Sequence, residues 1–264
     1  MGLKADDMRG VARRAALIGG EVVGSGARPT GAGAKGLPGD WVTEIDVASE
    51  RAISAFLQGE TPGVPVQGEE LGGADAGLRW VVDPLDGTTN YLHGFWAVGV
   101  AVALVDGDTV LAGAVHAPFL GETWHAARDR GGVWERDGRA APCRISDRPP
   151  ERAIVSTGFP FRHKERIPRY LGVLEGALRT FEDLRRPGAA SLDLAWVAGG
   201  VFDGFFELGL APWDVAAGAL LVREAGGAVT DWTGRRDDLS GNILAGTPEV
   251  HAELLRLASA RTGP

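Results

Sequence analysis

The feature that most constrains the fold is the run of residues 80–91, which reads Trp-Val-Val-Asp-Pro-Leu-Asp-Gly-Thr-Thr-Asn-Tyr. Its apolar start predicts a strand that carries Asp83 at its end, and Pro84 then interrupts the ladder because it has no N–H to donate. Asp86 follows three residues later, before a glycine that permits a tight turn. Thr88 can then begin a helix, whose first N–H groups have no partner within the helix. The run therefore predicts two carboxylates held close together between a strand and a helix start.

The two aspartates and the carbonyl of Leu85 between them form a group of oxygen donors that suits a hard divalent cation. The adjacent helix start suits a phosphate oxygen. A metal ion beside a phosphate is the arrangement found in metal-assisted phosphoryl transfer. The same residue types are also common in an Asp-Pro turn followed by a helix cap, so this run alone leaves both interpretations open.

Three further acidic residues favour the metal site. Glu69 and Glu70 follow a short predicted strand, where their like charges repel unless a cation lies between them. Asp214 stands at the start of a predicted helix, near the positive end of the helix dipole. The alternative interpretation of Glu69 and Glu70 is a solvated acidic turn, and that of Asp214 is a helix cap. With Asp83 and Asp86, these residues offer hard oxygen ligands and no convergent His or Cys, which selects Mg²⁺ or Mn²⁺ over Zn²⁺.

Hydrophobic periodicity predicts an α/β (α+β) fold. Helices near residues 5–23 and 44–57 flank a mainly antiparallel sheet in the first half of the chain. Strands and helices alternate in the second half, which indicates α/β layering. Prolines cluster within residues 137–150. We therefore expect a single unit with two halves, with the boundaries 1–264 for the unit, about 1–140 for the N-terminal α+β half and about 150–264 for the C-terminal α/β half.

Composition excludes several classes of protein. The formal net charge of −8 argues against direct binding of nucleic acid through its phosphates. The single cysteine, Cys143, excludes an intramolecular disulfide and a cysteine-based zinc cluster. The first residues lack the basic-then-apolar pattern of a signal peptide, and no apolar run approaches about 18 residues. We therefore expect a cytoplasmic protein without a membrane partner.

These motifs resemble the inositol monophosphatase family of Mg²⁺-dependent, lithium-sensitive phosphatases, and within it the bacterial SuhB-type branch. The resemblance rests on the Asp-Pro-x-Asp-Gly-Thr-x-Asn motif of residues 83–90, on Gly-Glu-Glu at 68–70 and on Trp213-Asp214. It extends over nearly the whole chain through further segments at residues 42–46, 156–161, 186–190, 203–207 and 224–227. It implies a layered αβαβα sandwich of the inositol monophosphatase and fructose-1,6-bisphosphatase sugar-phosphatase type.

The resemblance implies Mg²⁺ as the cofactor, with Mn²⁺ as an alternative, and inhibition by Li⁺. Glu69, Asp83 and the Leu85 carbonyl would hold one metal ion. Asp83, Asp86 and Asp214 would hold a second.

The resemblance also implies the catalytic and substrate-binding residues. Thr88, oriented by Asp46, would position the attacking water. Glu69 completes this catalytic set together with Lys35, which matches a lysine of the family's mobile loop. The residues implied to contact the phosphate or the polyol are Asp86, Gly87, Thr88, Gly188, Ala189, Ala190, Glu207 and Asp214.

The substrate stays open within this resemblance, which implies hydrolysis of inositol monophosphate or a similar small sugar or polyol phosphate. Fructose 1,6-bisphosphate, histidinol phosphate and 3′-phosphoadenosine 5′-phosphate are alternatives, because family members share the metal site and differ in the surrounding loops. Ala189 stands where relatives often carry Ser or Thr. The basic run at residues 162–166 is either a solvated helix start or a clamp for a second phosphate.

Partners are likewise implied by the resemblance. We expect a homodimer, and Arg185 and Arg186 form the first candidate surface for it. The SuhB-type branch is associated with the transcription machinery, so a protein partner there is the alternative, non-catalytic function. Within the glycine-rich segment 24–39, Lys35 is expected to order over the site when metal and phosphate bind; the alternative is a plain connector.

Overall fold

The computed structural model describes residues 5–25, 33–34, 41–73 and 77–260. The helices of this part are α1 (Ala5–Ser25), α2 (Glu44–Glu60), α3 (Thr88–His93), α4 (Ile167–Thr180), α5 (Ala190–Ala198), α6 (Pro212–Glu224) and α7 (Pro248–Ser259). Its strands are β1 (Gly33–Ala34), β2 (Trp41–Val42), β3 (Val66–Gly68), β4 (Leu78–Asp86), β5 (Gly99–Asp106), β6 (Thr109–Ala117), β7 (Glu122–Ala127), β8 (Gly132–Arg136), β9 (Arg139–Pro142), β10 (Ile154–Thr157), β11 (Asp183–Arg185), β12 (Gly204–Leu208), β13 (Ala228–Asp231) and β14 (Asn242–Gly246).

The first large sheet contains seven strands in the order β3-β4-β5-β6-β7-β8-β9. Only the β3–β4 pair is parallel among these neighbours, and β5 and β6 form an antiparallel hairpin. Strand β5 is apolar at consecutive positions because both faces of the sheet are covered. Val100 and Val102 pack on the side of α1 and α2, whereas Ala101 and Ala103 face the side of α5 and α6.

The second large sheet is mixed and has the strand order β11-β10-β12-β14-β13. Its central strand β12 is also buried on both faces. Phe205 packs with α5 and α6, whereas the next residue, Phe206, packs on the opposite face with Tyr170 of α4 and Val250 of α7. The period of two along the strand therefore sends neighbouring side chains into different cores.

Five layers result from these contacts. Helices α1 and α2 cover the outer face of the seven-stranded sheet, α5 and α6 lie between the two sheets, and α4 and α7 cover the outer face of the five-stranded sheet. The predicted αβαβα sandwich is confirmed. No helix in the described ranges is long and apolar enough to cross a membrane.

Three details differ from the sequence predictions. Strand β4 does not end at Pro84 but continues to Asp86, and its pairing register with β5 shifts between Asp83 and Asp86. Strands β8 and β9 were not predicted; β9 is an exposed edge strand without an apolar pattern. Strand β14 was not predicted, because its five residues are too few to show a clear alternation of apolar and polar side chains.

Candidate active site

Three carboxylates converge at the end of the first sheet. Glu69 follows β3, Asp83 lies in β4, and Asp214 is the third residue of α6. One carboxylate oxygen of each lies within 4.8 Å of the other two. The parallel β3–β4 pair brings Glu69 beside Asp83, because the Glu69 N–H donates to the Val82 carbonyl at 3.2 Å.

Burial makes this cluster electrostatically costly without a cation. Asp83 is only 1% exposed, and burial, together with the charges of Glu69, Asp86 and Asp214, raises its pKa well above the ordinary value. Burial and the Glu69 charge raise the pKa of Asp214 to about 8. A bound cation would relieve this repulsion, and the hard oxygen donors suit a divalent ion of the Mg²⁺ type. The residues present therefore fit a metal ion.

Asp86 is held from the opposite half of the chain. Its Oδ2 accepts hydrogen bonds from the backbone N–H of Ser191, at 2.7 Å, and from the Ser191 hydroxyl, at 2.6 Å. Burial raises the pKa of Asp86 to about 6, and the Ser191 hydrogen bonds oppose that rise. Asp86 is thereby more easily ionised than Asp214.

A hydrogen-bonded pair adjoins the carboxylates. The Thr88 hydroxyl lies 3.1 Å from Asp46 Oδ1 and 3.3 Å from the Leu85 carbonyl oxygen. Asp46 is buried in the first turn of α2, where its Oδ2 accepts from the N–H of Thr43 at 2.8 Å in a capping box. The cap fixes the Asp46 carboxylate, and that carboxylate in turn orients Thr88.

Glu50 is a residue of this site that the sequence analysis missed. Its buried carboxylate accepts the N–H groups of Glu70 at 2.8 Å and Leu71 at 2.9 Å, next to the Glu69 ligand position. A Cβ on Gly68 would overlap the Glu50 carboxylate. The signal available in the sequence is the position of Glu50 one turn after Asp46, on the same side of α2.

One cavity of about 700 Å³ contains most of the predicted residues. Those lining it are Glu69, Asp83, Leu85, Asp86, Gly87, Thr88, Gly188, Ala190, Glu207 and Asp214. We call it the site cavity. Asp46 lies behind Thr88 outside the lining, and Lys35 lies outside the described residues.

Ala189 does not line the site cavity, unlike its neighbours Gly188 and Ala190. It is 1% exposed and belongs to the core cluster between the sheets. A Cβ on Gly87, which has a φ of +93°, would lie 3.4 Å from the Ala189 Cβ. The Ala189 side chain therefore packs beside the turn at Gly87.

Glu207 is buried at the other side of the site cavity. Its carboxylate lies against Gly158, where a Cβ would overlap it. Burial and the Asp214 charge raise the pKa of Glu207 to about 8, whereas Arg186 and Arg162 oppose the rise. Burial therefore favours the protonated form of Glu207, which can donate a hydrogen bond as well as accept one.

Arg185 and Arg186 both have partners within the chain, which changes the basis for the expected dimer surface. Arg185 pairs with Asp183, whereas Arg186 lies over the Phe159 and Phe161 rings and lines the site cavity. The expected dimer surface at these two residues stays a prediction.

The sequence and the fold of this chain were compared with those of known proteins. The sequence profile of the inositol monophosphatase family matches residues 4–262. Nus factor SuhB of Escherichia coli (strain K12) is 42% identical over 225 residues, which cover 82% of this chain and 81% of that protein. The structure of the extragenic suppressor protein suhB from Bartonella henselae has 35% identity and a TM-score of 0.88, covering 98% of this chain and all of that one. Inositol monophosphatase from Anabaena (Nostoc) sp. PCC 7120 has 31% identity and a TM-score of 0.84, covering 97% and 96% of the two chains.

Proposed function

Because the chain belongs to the inositol monophosphatase family and is of the SuhB type, we propose that it is a Mg²⁺-dependent phosphomonoesterase. The proposed substrate is inositol monophosphate or a similar small sugar or polyol phosphate. The observation that carries the proposal is the cluster of Glu69, Asp83 and Asp214 in the same cavity as the Thr88–Asp46 pair.

Glu69, Asp83 and Asp214 would hold Mg²⁺, and Asp86 and the Leu85 carbonyl would complete the proposed metal-binding set. When bound, Mg²⁺ supplies activation of water and neutralisation of the phosphate charge. Mn²⁺ offers the same chemistry to the same oxygen donors.

Thr88 and Asp46 would orient the attacking water. A threonine hydroxyl has one proton, and Asp46 Oδ1 at 3.1 Å is the nearer of its two acceptors. Because that proton is used, the lone pairs of the Thr88 oxygen are free to accept a hydrogen bond from the water. Gly87, Gly188 and Ala190 line the cavity beside this pair and leave room for the phosphate ester.

The proposal is tested by phosphate release from myo-inositol 1-phosphate with and without added Mg²⁺. We expect release to require Mg²⁺ and the Asp83→Asn variant to lose at least about 100-fold in kcat/KM, since the variant removes a buried ligand. Asp106→Asn, an exposed aspartate at the end of β5, is the matched control and keeps full activity. Full activity in excess chelator contradicts the proposal.

A second function is supported by the name of the relatives. Nus factor SuhB of Escherichia coli, at 42% identity, implies a partner in the transcription machinery. We propose that this chain also contacts a protein of that machinery in the cytoplasm. Affinity purification with the wild type and with Asp86→Asn tests this: co-purification of transcription proteins with both supports a contact independent of metal. Their absence from both samples excludes it.

Family membership also supports two smaller proposals. We propose inhibition by Li⁺, measured as loss of Mg²⁺-dependent phosphate release, and a homodimer in solution. Light scattering at micromolar concentration checks the dimer, and a monomeric mass contradicts it.

A further inference from the structure

The Asp-Pro-x-Asp-Gly-Thr-x-Asn motif is bound to the start of α5 at two places. Ser191 donates to Asp86 through both its N–H and its hydroxyl. Earlier in the chain, the Pro187 carbonyl accepts a hydrogen bond from the side-chain amide of Asn90 at 2.9 Å. Residues 188–190 lie between these two anchors and include two residues that line the site cavity. The position of this part of the cavity wall therefore depends on both contacts.

The amide nitrogen of Asn90 donates to two backbone carbonyls. Asn90 Nδ2 lies 2.7 Å from the Ala97 oxygen and 2.9 Å from the Pro187 oxygen. An amide nitrogen has two hydrogens, so both are used, and two acceptor partners also fix which end of the amide faces them. Asn90 belongs to α3, Ala97 precedes β5, and Pro187 precedes α5. One side chain therefore joins three segments of the chain.

Two glycine turns pack against this amide nitrogen. Gly87 has a φ of +93° and Gly188 a φ of +92°, and glycine adopts this conformation without steric cost. A Cβ would lie 3.5 Å from Asn90 Nδ2 if it were built on Gly87, and 3.3 Å if it were built on Gly188. Both glycines line the site cavity, as does Asn90. The amide nitrogen thus lies between two turns that border the same space.

We propose that Asn90 is a positioning residue for the substrate, because it holds the Gly188 turn beside the Gly87 turn so that both border the same phosphate ester. This inference rests on the proposed phosphatase function. The metal-binding carboxylates do not depend on Asn90, since Asp86 keeps its own anchor at Ser191. Loss of the Asn90 amide should therefore weaken the binding of substrate and leave the binding of Mg²⁺ unchanged.

Asn90→Leu tests this, because it removes both donors with little change in side-chain size and without adding a charge. With myo-inositol 1-phosphate we expect KM to rise about 10- to 100-fold, since two carbonyls lose their donors and the loosened turn must be ordered again when substrate binds. We expect kcat and the Mg²⁺ concentration for half-maximal activity to change less than about 3-fold. Gln58→Leu, which replaces an exposed amide of α2 away from the site cavity, is the control and changes none of these values.

The separate measurement of KM and kcat distinguishes positioning from a loss of folded protein, because a smaller folded fraction lowers the apparent kcat and leaves KM unchanged. An unchanged KM in Asn90→Leu overturns the inference. A rise in half-maximal Mg²⁺ as large as the rise in KM also overturns it, since Asn90 would then act on the metal site. If Asn90→Leu does not fold, Asn90→Ser decides by the same criteria, because its hydroxyl has one hydrogen for two carbonyls.

Failure of the proposed function is recognised separately. If the wild type releases no phosphate from myo-inositol 1-phosphate, calorimetric titration with inorganic phosphate in the presence of Mg²⁺ decides the inference by binding alone. Phosphate binding that is at least about 10-fold weaker in Asn90→Leu than in the wild type supports the positioning role without catalysis. Equal affinities, or no phosphate binding by the wild type, contradict it.

Discussion

Asp86 and Ser191 form a two-point contact across 105 residues of sequence, in which both the N–H and the hydroxyl of Ser191 donate to Asp86 Oδ2. Asp86 ends β4 of the first sheet, and Ser191 lies in the first turn of α5 between the sheets. The contact therefore ties the metal-binding turn to the helix layer on which both sheets pack. It also favours the ionised form of Asp86 against the cost of burial.

The Ser191→Ala variant removes the hydroxyl donor and leaves the backbone donor. We expect the pKa of Asp86 to rise further and the Mg²⁺ concentration for half-maximal activity to increase about 10-fold, the effect of one charged hydrogen bond. Mg²⁺ titration of phosphate release measures this. Ser240→Ala, whose hydroxyl contacts the backbone of Asn242 away from the site cavity, is the control. Equal Mg²⁺ dependence in wild type and Ser191→Ala contradicts the assigned role.

Glu50 gives a second prediction, since its carboxylate accepts two backbone N–H groups beside Glu69. In Glu50→Gln the side-chain NH₂ faces one of those donors, so one N–H loses its acceptor. We expect the free energy of unfolding to fall by about 1–3 kcal/mol and half-maximal Mg²⁺ to rise, because the turn holding Glu69 loosens. Denaturant unfolding and Mg²⁺ titration test both effects.

Glu60→Gln is the matched control for Glu50, because Glu60 ends the same helix and pairs with Arg14 at the surface. It should shift unfolding by less than about 1 kcal/mol and leave the Mg²⁺ dependence unchanged. If Glu50→Gln behaves like Glu60→Gln, the Glu50 carboxylate does not position the metal-binding turn.

Asp203 gives a third prediction that separates stability from catalysis. It is fully buried and accepts from Arg148 Nε, at 2.9 and 3.0 Å, and from the Ile154 N–H at 2.7 Å. Asp203→Asn leaves Arg148 without its carboxylate and should cost about 3–5 kcal/mol of unfolding free energy. Activity per folded molecule should stay unchanged, because Asp203 does not line the site cavity. A loss of specific activity at unchanged stability contradicts this role.

The local parts of the site were predictable because the chemistry lies in short segments. Asp83 and Asp86 belong to one turn, and the Thr88 helix start follows directly, so strand, turn and cap preferences alone place them together. The position of Asp214 could not be predicted from local preferences, because its distance from Asp83 depends on how α6 packs between the sheets. The family resemblance implied that Asp214 and Asp83 bind the same metal ion. That packing buries both faces of β5 and β12. A strand buried on both faces shows a continuous apolar run without alternation, so its sequence does not indicate which helices cover each face.

The residues missed are those whose role arises only from tertiary contact. Ser191 and Glu50 meet the site through hydrogen bonds to distant backbone or side-chain groups. Arg186 was predicted as part of a dimer surface, and its contacts with Phe159 and Phe161 were missed because aromatic partners offer no opposite charge in the sequence. The Ala189 side chain lies in the core between the sheets, and its contact with a substrate stays a prediction. The single-unit organisation over residues 1–264 stays a prediction.

The last prediction concerns pH and the metal-free protein. The pKa of Asp214 is raised to about 8 in the folded chain, so the folded state binds more protons than the unfolded state at intermediate pH. Unfolding free energy therefore falls as pH rises from about 4 through about 8. His116, His125 and His251 act in the opposite direction, because burial lowers their pKa values. A comparison with Asp214→Asn cancels the histidine contribution, which both proteins share.

In chelator, Asp214→Asn should exceed the wild type in stability by only about 1–2 kcal/mol near pH 5, where Asp214 is protonated in the folded chain but already ionised in the unfolded chain. Near pH 8 that difference should grow to on the order of 5 kcal/mol, because the folded wild type must bind a proton, or bury a charge, that its unfolded chain does not. Saturating Mg²⁺ should reverse that order at pH 8, since only the wild type keeps the full ligand set and ligand binding stabilises the folded state. Thermal or denaturant unfolding of both proteins at both pH values, in chelator and in Mg²⁺, measures these differences in stability. A wild type that is more stable than Asp214→Asn at pH 8 in chelator would contradict this prediction, because it would show that the Asp214 carboxylate does not destabilise the metal-free protein.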